Sequence, residues 1–135
     1  MVASMEATIF NCQCDQMQNC KGGCETIYDA GLWGVVNNAG IMGSNGPPEW
    51  HTIDNYKATN AVNLYGLIDV TMTFLPLVKM ARGRVVNTSS EAGRFSMPFI
   101  TPYSVSKYGV EAFTDGLRSV AINITQNYMV NSLIA

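Results

Sequence analysis

Three residues in the second half of the chain have types and spacings suited to acid–base chemistry on an alcohol or a carbonyl. Tyr103 and Lys107 are four positions apart, so on a helix their side chains would lie on one face. A nearby ammonium favours the ionised form of a phenol and brings it within range of proton transfer near neutral pH. Ser90, thirteen residues before Tyr103 at the end of an apolar run, would offer a hydroxyl to the substrate oxygen. The set predicts a site that moves a proton to or from that oxygen.

Two further motifs precede this set. The segment Asn37-Asn38-Ala39-Gly40 follows a short apolar run, and Asn63 lies in Val62-Asn63-Leu64-Tyr65-Gly66. Together with Ser90 and the Tyr-x-x-x-Lys pair, they resemble the short-chain dehydrogenase/reductase family in order and spacing. The resemblance covers about residues 31–135. It is closest to the branch of retinol dehydrogenases, 17-beta-hydroxysteroid dehydrogenases and D-beta-hydroxybutyrate dehydrogenase.

The resemblance implies a role for each residue. Tyr103 would take or give the proton of the substrate hydroxyl during hydride transfer with NAD or NADP, and Lys107 would hold the nicotinamide ribose and favour the phenolate. Ser90 would position the substrate oxygen, and Asn63 would hold a water that relays protons to solvent. Besides Tyr103 and Lys107, the cofactor cleft would be lined by Asn38, Ala39 and Gly40.

The elements that must position these residues follow from apolar runs that alternate with amphipathic segments. Parallel, buried strands are predicted over residues 32–38, 84–89 and 128–135. Helices are predicted over about residues 52–80 and 102–122. Pro76 should bend or end the first helix near its last turn, and Thr101 should cap the second. This order predicts an α/β fold, namely the second half of a Rossmann-like doubly wound parallel sheet.

The helix over residues 52–80 is apolar on nearly every face, which predicts that both of its sides are covered. In the family that the chain resembles, this helix packs on the sheet and also meets its copy in another subunit. The resemblance therefore implies a homo- or hetero-oligomer through the helices near 52–80 and 102–122.

Residues 1–30 differ from the partial dehydrogenase domain expected over 31–135. They are predicted to form a poorly ordered extension, with a remnant of the family's third strand near Thr8–Asp15 to which no adenine-binding role is given. All four cysteines lie here, at Cys12, Cys14, Cys20 and Cys24. Their spacing is not the paired C-x2-C of a zinc site, so free thiols are favoured and no metal is expected. The only histidine, His51, has no metal-ligating partner in the sequence.

Composition excludes other function classes. The net charge is −2, the pI is near 5.2, and no run rich in Lys or Arg is present, which argues against nucleic acid. No stretch has about 20 uninterrupted apolar residues, so no membrane span is predicted. The cytoplasm is the default compartment because no signal peptide pattern opens the chain. Relatives in this branch are often membrane-associated or organellar.

Two functions remain open. The first is an oxidoreductase that transfers hydride between NAD or NADP and a lipophilic alcohol or ketone, retinol-like or steroid-like, with 3-hydroxybutyrate as the second candidate substrate. The second is a catalytically inactive fragment, truncated at both ends, that acts through its dimerisation helices. No G-x-G-x-x-G follows a strand, so we expect weak activity of this chain alone and an exposed sheet edge where strands are missing.

Overall fold

The computed structural model describes residues 7–10, 31–123 and 128–134, which contain a four-stranded sheet with the strands in chain order. The strands are β1 (Ala7–Phe10), β2 (Gly34–Asn37), β3 (Arg84–Ser89) and β4 (Met129–Ile134). β2, β3 and β4 are parallel, and helices connect them. The predicted partial Rossmann-like fold is thereby confirmed.

β1 lies within the segment for which the sequence predicts a poorly ordered extension. It pairs antiparallel with β2, from Ala7 opposite Asn37 to Phe10 opposite Gly34. β1 thus covers the edge of β2, and among the described residues the outer edge of β1 has no strand partner, so an open sheet edge remains there. The four cysteines and Asp15 lie outside the described residues, and the division of the chain at residue 30 stays a prediction.

The parallel strands are shorter or less buried than predicted, except for β3. β2 begins at Gly34, two residues later than predicted, and Trp33 before it is 43% exposed. The prediction that β4 is buried is wrong: of its residues, only Val130 is buried. The other side chains of β4 are exposed or partly exposed. Among the described residues no strand pairs with its outer edge, so the backbone groups there are open to solvent.

A continuous helical stretch joins β2 to β3. It comprises α1 (Ile53–Asn60), a π-helical segment (Ala61–Gly66) and α2 (Leu67–Met80), and it continues one turn past Pro76. Buried side chains of α2 recur at helical spacing toward the sheet, at Leu67, Thr71, Leu75 and Val78. On other faces Tyr65 is 60% and Met72 is 55% exposed in the single chain. Coverage of this side by a second subunit stays a prediction.

This helical stretch, Ile53–Met80, is also long and apolar enough to cross a membrane by length and composition. That finding departs from the sequence expectation, which required an uninterrupted apolar run. Core helices of soluble proteins pass the same test.

The last helix, α3 (Thr101–Asn123), begins one residue earlier than predicted. The Ser104 N–H donates to the Ile100 carbonyl oxygen at 2.9 Å, so Ile100 precedes the helix and Thr101 is its first residue, not its cap. Pro102 still lies in the first turn, where backbone N–H groups have no helical acceptor. α3 packs against α1, β3 and β4.

Candidate active site

Lys107 lies in α3, and its ammonium reaches the carboxyl end of β3. The side chain is buried, and Nζ donates a hydrogen bond to the Thr88 carbonyl oxygen at 2.9 Å. Burial lowers the pKa of Lys107 because water no longer solvates the charged form. Only one of its three N–H donors has a partner in the described structure, which leaves two for a ligand.

Tyr103 lies one turn before Lys107 on the same helix and is partly buried. Lys107 Nζ is 5.6 Å from the centroid of the Tyr103 ring, within the range of a cation–π contact. The two side chains that the sequence spacing places on one helical face are therefore close together.

Asn63 is fully buried in the π-helical segment, a type of helix that often marks functional sites. Its Oδ1 accepts the Ile41 N–H at 2.8 Å, and its Nδ2 donates to the Ile41 carbonyl oxygen at 2.8 Å. Nδ2 also donates to Ser106 Oγ at 3.0 Å, and that hydroxyl donates to the Tyr103 carbonyl oxygen at 2.7 Å. Asn63 thus ties the loop after β2 to the helix that carries Tyr103.

The loop after β2 brings Asn38, Ala39 and Gly40 to the same end of the sheet. Asn38 and Gly40 are exposed, and Ala39 is partly so. A Cβ atom on Gly40 would lie 3.8 Å from Lys107 Nζ and 3.7 Å from Asn63 Oδ1. The exposed Gly40 therefore lies next to the ammonium, and the donors that Lys107 holds free fit the hydroxyl groups of a nicotinamide ribose.

Ser90 follows β3 directly and is mostly buried. It precedes a 3-10 turn, Glu91–Gly93, and its Oγ accepts the Ala92 N–H at 3.3 Å. Its hydroxyl proton stays available for a substrate oxygen. Ser90 lies two residues after Thr88, whose carbonyl oxygen accepts the hydrogen bond from Lys107. Ser90 is therefore at the carboxyl ends of the strands, together with the other predicted residues.

Comparison with known proteins agrees with this arrangement. The sequence matches the family model for short chain dehydrogenase over residues 2–130. The chain belongs to the short chain dehydrogenase family. The order of motifs that predicts this family is thereby confirmed.

Relatives of this chain are named for activity on retinol and on steroids. The chain is 56% identical over 94 residues to 17-beta-hydroxysteroid dehydrogenase type 6 of Bos taurus and 54% identical over 94 residues to retinol dehydrogenase 16 of Mus musculus. Each alignment covers 70% of this chain and 29% of the relative. The chain therefore spans less than a third of the length of these curated relatives.

Solved structures resemble the dehydrogenase chain over more of its length. A short chain dehydrogenase from Salmonella enterica superimposes with a TM-score of 0.72 at 27% identity, covering 84% of this chain and 47% of that one. An NAD+-bound xylitol dehydrogenase gives a TM-score of 0.68 at 25% identity, covering 80% and 42%. Both support the partial Rossmann-like sheet.

Sequence reasoning missed a buried polar network beneath the candidate site. Asn37 Nδ2 donates to Asn87 Oδ1 at 2.8 Å and to Thr71 Oγ1 at 2.9 Å. Asn87 Nδ2 donates in turn to Thr114 Oγ1 at 2.9 Å. The signal was present, because an asparagine interrupts the same register position of two apolar strands, with Asn37 opposite Asn87.

Loops beside the candidate site form a shallow, open apolar hollow of about 470 Å³. It is lined by Pro47, Pro48, Ser96, Met97, Pro98, Phe99 and Thr101. The Gly46 N–H donates to the Phe99 carbonyl oxygen at 2.8 Å and joins the two loops. The ring nitrogens of His51 lie 3.1 Å from Ser44 Oγ and 3.0 Å from the Gly46 carbonyl oxygen, so this histidine orders the loop. Among the described residues no cluster of metal ligands occurs.

Proposed function

We propose that this chain carries the hydride-transfer site of an oxidoreductase that uses NAD or NADP and acts on a lipophilic alcohol or ketone. One observation carries the proposal: the buried ammonium of Lys107 is held by the Thr88 carbonyl, close to the Tyr103 ring and to the exposed Gly40. A buried lysine that keeps free donors beside a phenol is suited to bind ribose hydroxyls and to stabilise a phenolate.

The residues divide the chemistry between them. Bound NAD or NADP would accept or supply the hydride. Tyr103 takes the proton from the substrate hydroxyl in oxidation and returns it in reduction, and Lys107 stabilises the phenolate. Ser90 donates a hydrogen bond to the substrate oxygen. The Asn63 amide is held in place by Ile41 and Ser106. In this position it would hold the water that relays protons from the site to solvent.

The substrate class rests on the hollow beside α3. Thr101 lines it and lies two residues before Tyr103, while Met97, Pro98 and Phe99 make its surface largely apolar. Burying an apolar group there contributes roughly 25 cal/mol per Å². A retinol-like or steroid-like substrate would gain from that contact, whereas the small, charged 3-hydroxybutyrate would gain little. The names of the relatives favour the same class.

The test begins with cofactor binding. The purified chain is titrated with NADH and NADPH, with energy transfer from Trp33 and Trp50 as the signal and circular dichroism to verify folding. Turnover is then measured on retinol, a steroid alcohol and 3-hydroxybutyrate. We expect saturable binding and activity on the two lipophilic alcohols. Failure of a folded chain to bind either nucleotide would contradict the proposal.

Tyr103→Phe is the decisive variant because it removes only the phenolic oxygen. We expect its turnover to fall by roughly 10²- to 10⁴-fold, the usual contribution of a positioned acid–base group, while nucleotide binding persists. Tyr65→Phe is the matched control, since Tyr65 lies exposed on the helical stretch before β3. Equal turnover of Tyr103→Phe and the control would show that the phenol does no proton transfer.

A second candidate function is association with another dehydrogenase subunit through the helices. It is favoured by exposed apolar side chains on both helices, with Tyr65 and Met72 on one and Val105 on the other. Analytical ultracentrifugation of the wild type and of Met72→Lys tests it, and we expect the lysine to weaken a dimer. A wild-type chain that stays monomeric at high concentration would contradict self-association. We also propose a cytoplasmic location, which the sequence gives as the default compartment.

A further inference from the structure

A half-buried ion pair joins the loop after Ser90 to α3. Arg94 Nη2 lies 2.6 Å from Glu111 Oε2, and the Glu111 side chain is only 6% exposed, whereas that of Arg94 is 53% exposed. Ser132 Oγ, at 3.4 Å, is a weaker partner of the same carboxylate oxygen. Because a buried carboxylate needs a compensating charge, Glu111 fixes where the Arg94 guanidinium must lie.

Two more contacts fasten the same loop to the same helix. The Tyr108 hydroxyl donates to the Arg94 carbonyl oxygen at 2.7 Å, so both the side chain and the backbone of Arg94 are tied to α3. Gly93 packs directly on the helix, since a Cβ atom there would lie 2.9 Å from the Lys107 carbonyl oxygen. The loop therefore contacts α3 over the turn that follows Tyr103.

Ser90 lies at the other end of this fastened loop. The Gly93 N–H donates to the Ser90 carbonyl oxygen at 2.9 Å, and the Arg94 N–H donates to the Glu91 carbonyl oxygen at 2.8 Å. These bonds make residues 90–94 one tight turn. A turn held by β3 on one side and by α3 on the other has little freedom to move Ser90 relative to Tyr103.

We propose that Arg94, Tyr108 and Glu111 are positioning residues, and that together they hold the Ser90 hydroxyl in register with Tyr103 and Lys107. We call these three residues the Arg94 latch. The inference rests on the proposed function, because it gives the latch a role in the reaction at Ser90. A displacement of a reacting group by about 1 Å can cost on the order of 100-fold in rate, so the latch matters more for turnover than for cofactor binding.

Stability alone is the competing explanation for the ion pair, and the experiment must separate the two roles. Glu111→Gln breaks the charge pair at nearly constant volume, and Asp54→Asn is the control because it breaks the exposed pair with Lys57. Both substitutions are made in the wild-type chain and in Ser90→Ala. If the latch acts through Ser90, its loss has no further effect once the hydroxyl is gone.

We expect Glu111→Gln to lower kcat by roughly 10- to 100-fold in the wild-type background, with the NADH dissociation constant changed less than about two-fold. In the Ser90→Ala background we expect no further loss of kcat. Tyr108→Phe, which removes only an exposed hydroxyl and leaves folding intact, should give the same pattern at smaller size. Equal losses in both backgrounds would overturn the positioning role.

A second readout needs no activity. Trypsin cleavage after Arg94 requires the guanidinium to leave Glu111, and we expect Glu111→Gln to speed it by about 10-fold. Cleavage after Arg82, at the opposite end of β3, is the internal reference and should not change. An unchanged rate at Arg94 would refute the latch. If cleavage accelerates but neither the wild type nor Ser90→Ala turns over substrate, the proposed function fails and the latch stands as an anchor of the loop.

Discussion

The core of the molecule has an apolar half and a polar half, built from the same strands and helices. Toward the start of β2 and β3, fully buried Leu32, Val35 and Val85 pack with Val78 of α2. Toward the carboxyl ends of the same strands, the fully or almost fully buried side chains are amides and hydroxyls. Asn37 and its partners join β2, β3, α2 and α3 through hydrogen bonds of 2.8–2.9 Å.

The two halves are stabilised by different forces, and this explains where the candidate site lies. Apolar contact is non-directional, so the first half needs only the right volume. A buried hydrogen-bond network holds each strand end at a definite position, because any displacement leaves a polar group unpaired. Lys107, Asn63 and Ser90 lie in the polar half. There the directional hydrogen bonds, and not only the packing volume, fix the position of the backbone.

The largest expected effect on the free energy of unfolding comes from truncating a side chain in the apolar half. Leu32→Ala removes a fully buried side chain and leaves a cavity, which we expect to lower the free energy of unfolding by about 2–5 kcal/mol in urea denaturation. Met72→Ala, at a position 55% exposed on α2, should change it by less than about 1 kcal/mol. Equal effects of the two variants would mean that the apolar half does not hold the fold.

A smaller effect on the free energy of unfolding is expected from removing a hydrogen bond in the polar half. Asn87→Leu keeps the side-chain shape but leaves an Asn37 N–H without its acceptor, and we expect a loss of about 1–3 kcal/mol. The double variant Asn37→Leu with Asn87→Leu removes both amides, so its loss should be smaller than the sum of the two single losses. Urea denaturation of all four chains gives the coupling energy, and strict additivity would contradict a cooperative network.

The same division explains how much the sequence could predict. β3 was predicted to the residue, and the type and order of the parallel strands and their helices were predicted correctly, because apolar periodicity reports burial in the first half directly. Tyr103 and Lys107 could be paired because helical spacing alone brings them together. Motif order identified the family.

The sequence could not predict the tertiary contacts of the site. The bond from Asn63 to Ser106 and the ion pair of Arg94 with Glu111 join residues 43 and 17 positions apart, and no local pattern reports such partners. The antiparallel pairing of β1 was missed for a related reason, since a four-residue strand gains its stability from β2 and not from its own composition.

The smallest and most specific effect is the pH dependence of stability at Lys107. Burial lowers the pKa of this lysine below its ordinary value of 10.5, so the unfolded chain binds more protons than the folded one between the lowered pKa and 10.5. Stability attributable to Lys107 therefore rises as the pH increases through that window. The penalty of burying the charge is fully present at lower pH.

We expect the free energy of unfolding of the wild type, minus that of Lys107→Met, to increase with pH in this alkaline window and to stay constant well below it. Taking the difference cancels the titration of other groups that both chains share. Lys57→Met, at a lysine whose side chain is 69% exposed, should show no comparable slope. A difference that falls with rising pH would mean that the ammonium is stabilised by its contacts with Thr88 and Tyr103 more than it is penalised by burial, and the polar half would then hold its charge without cost.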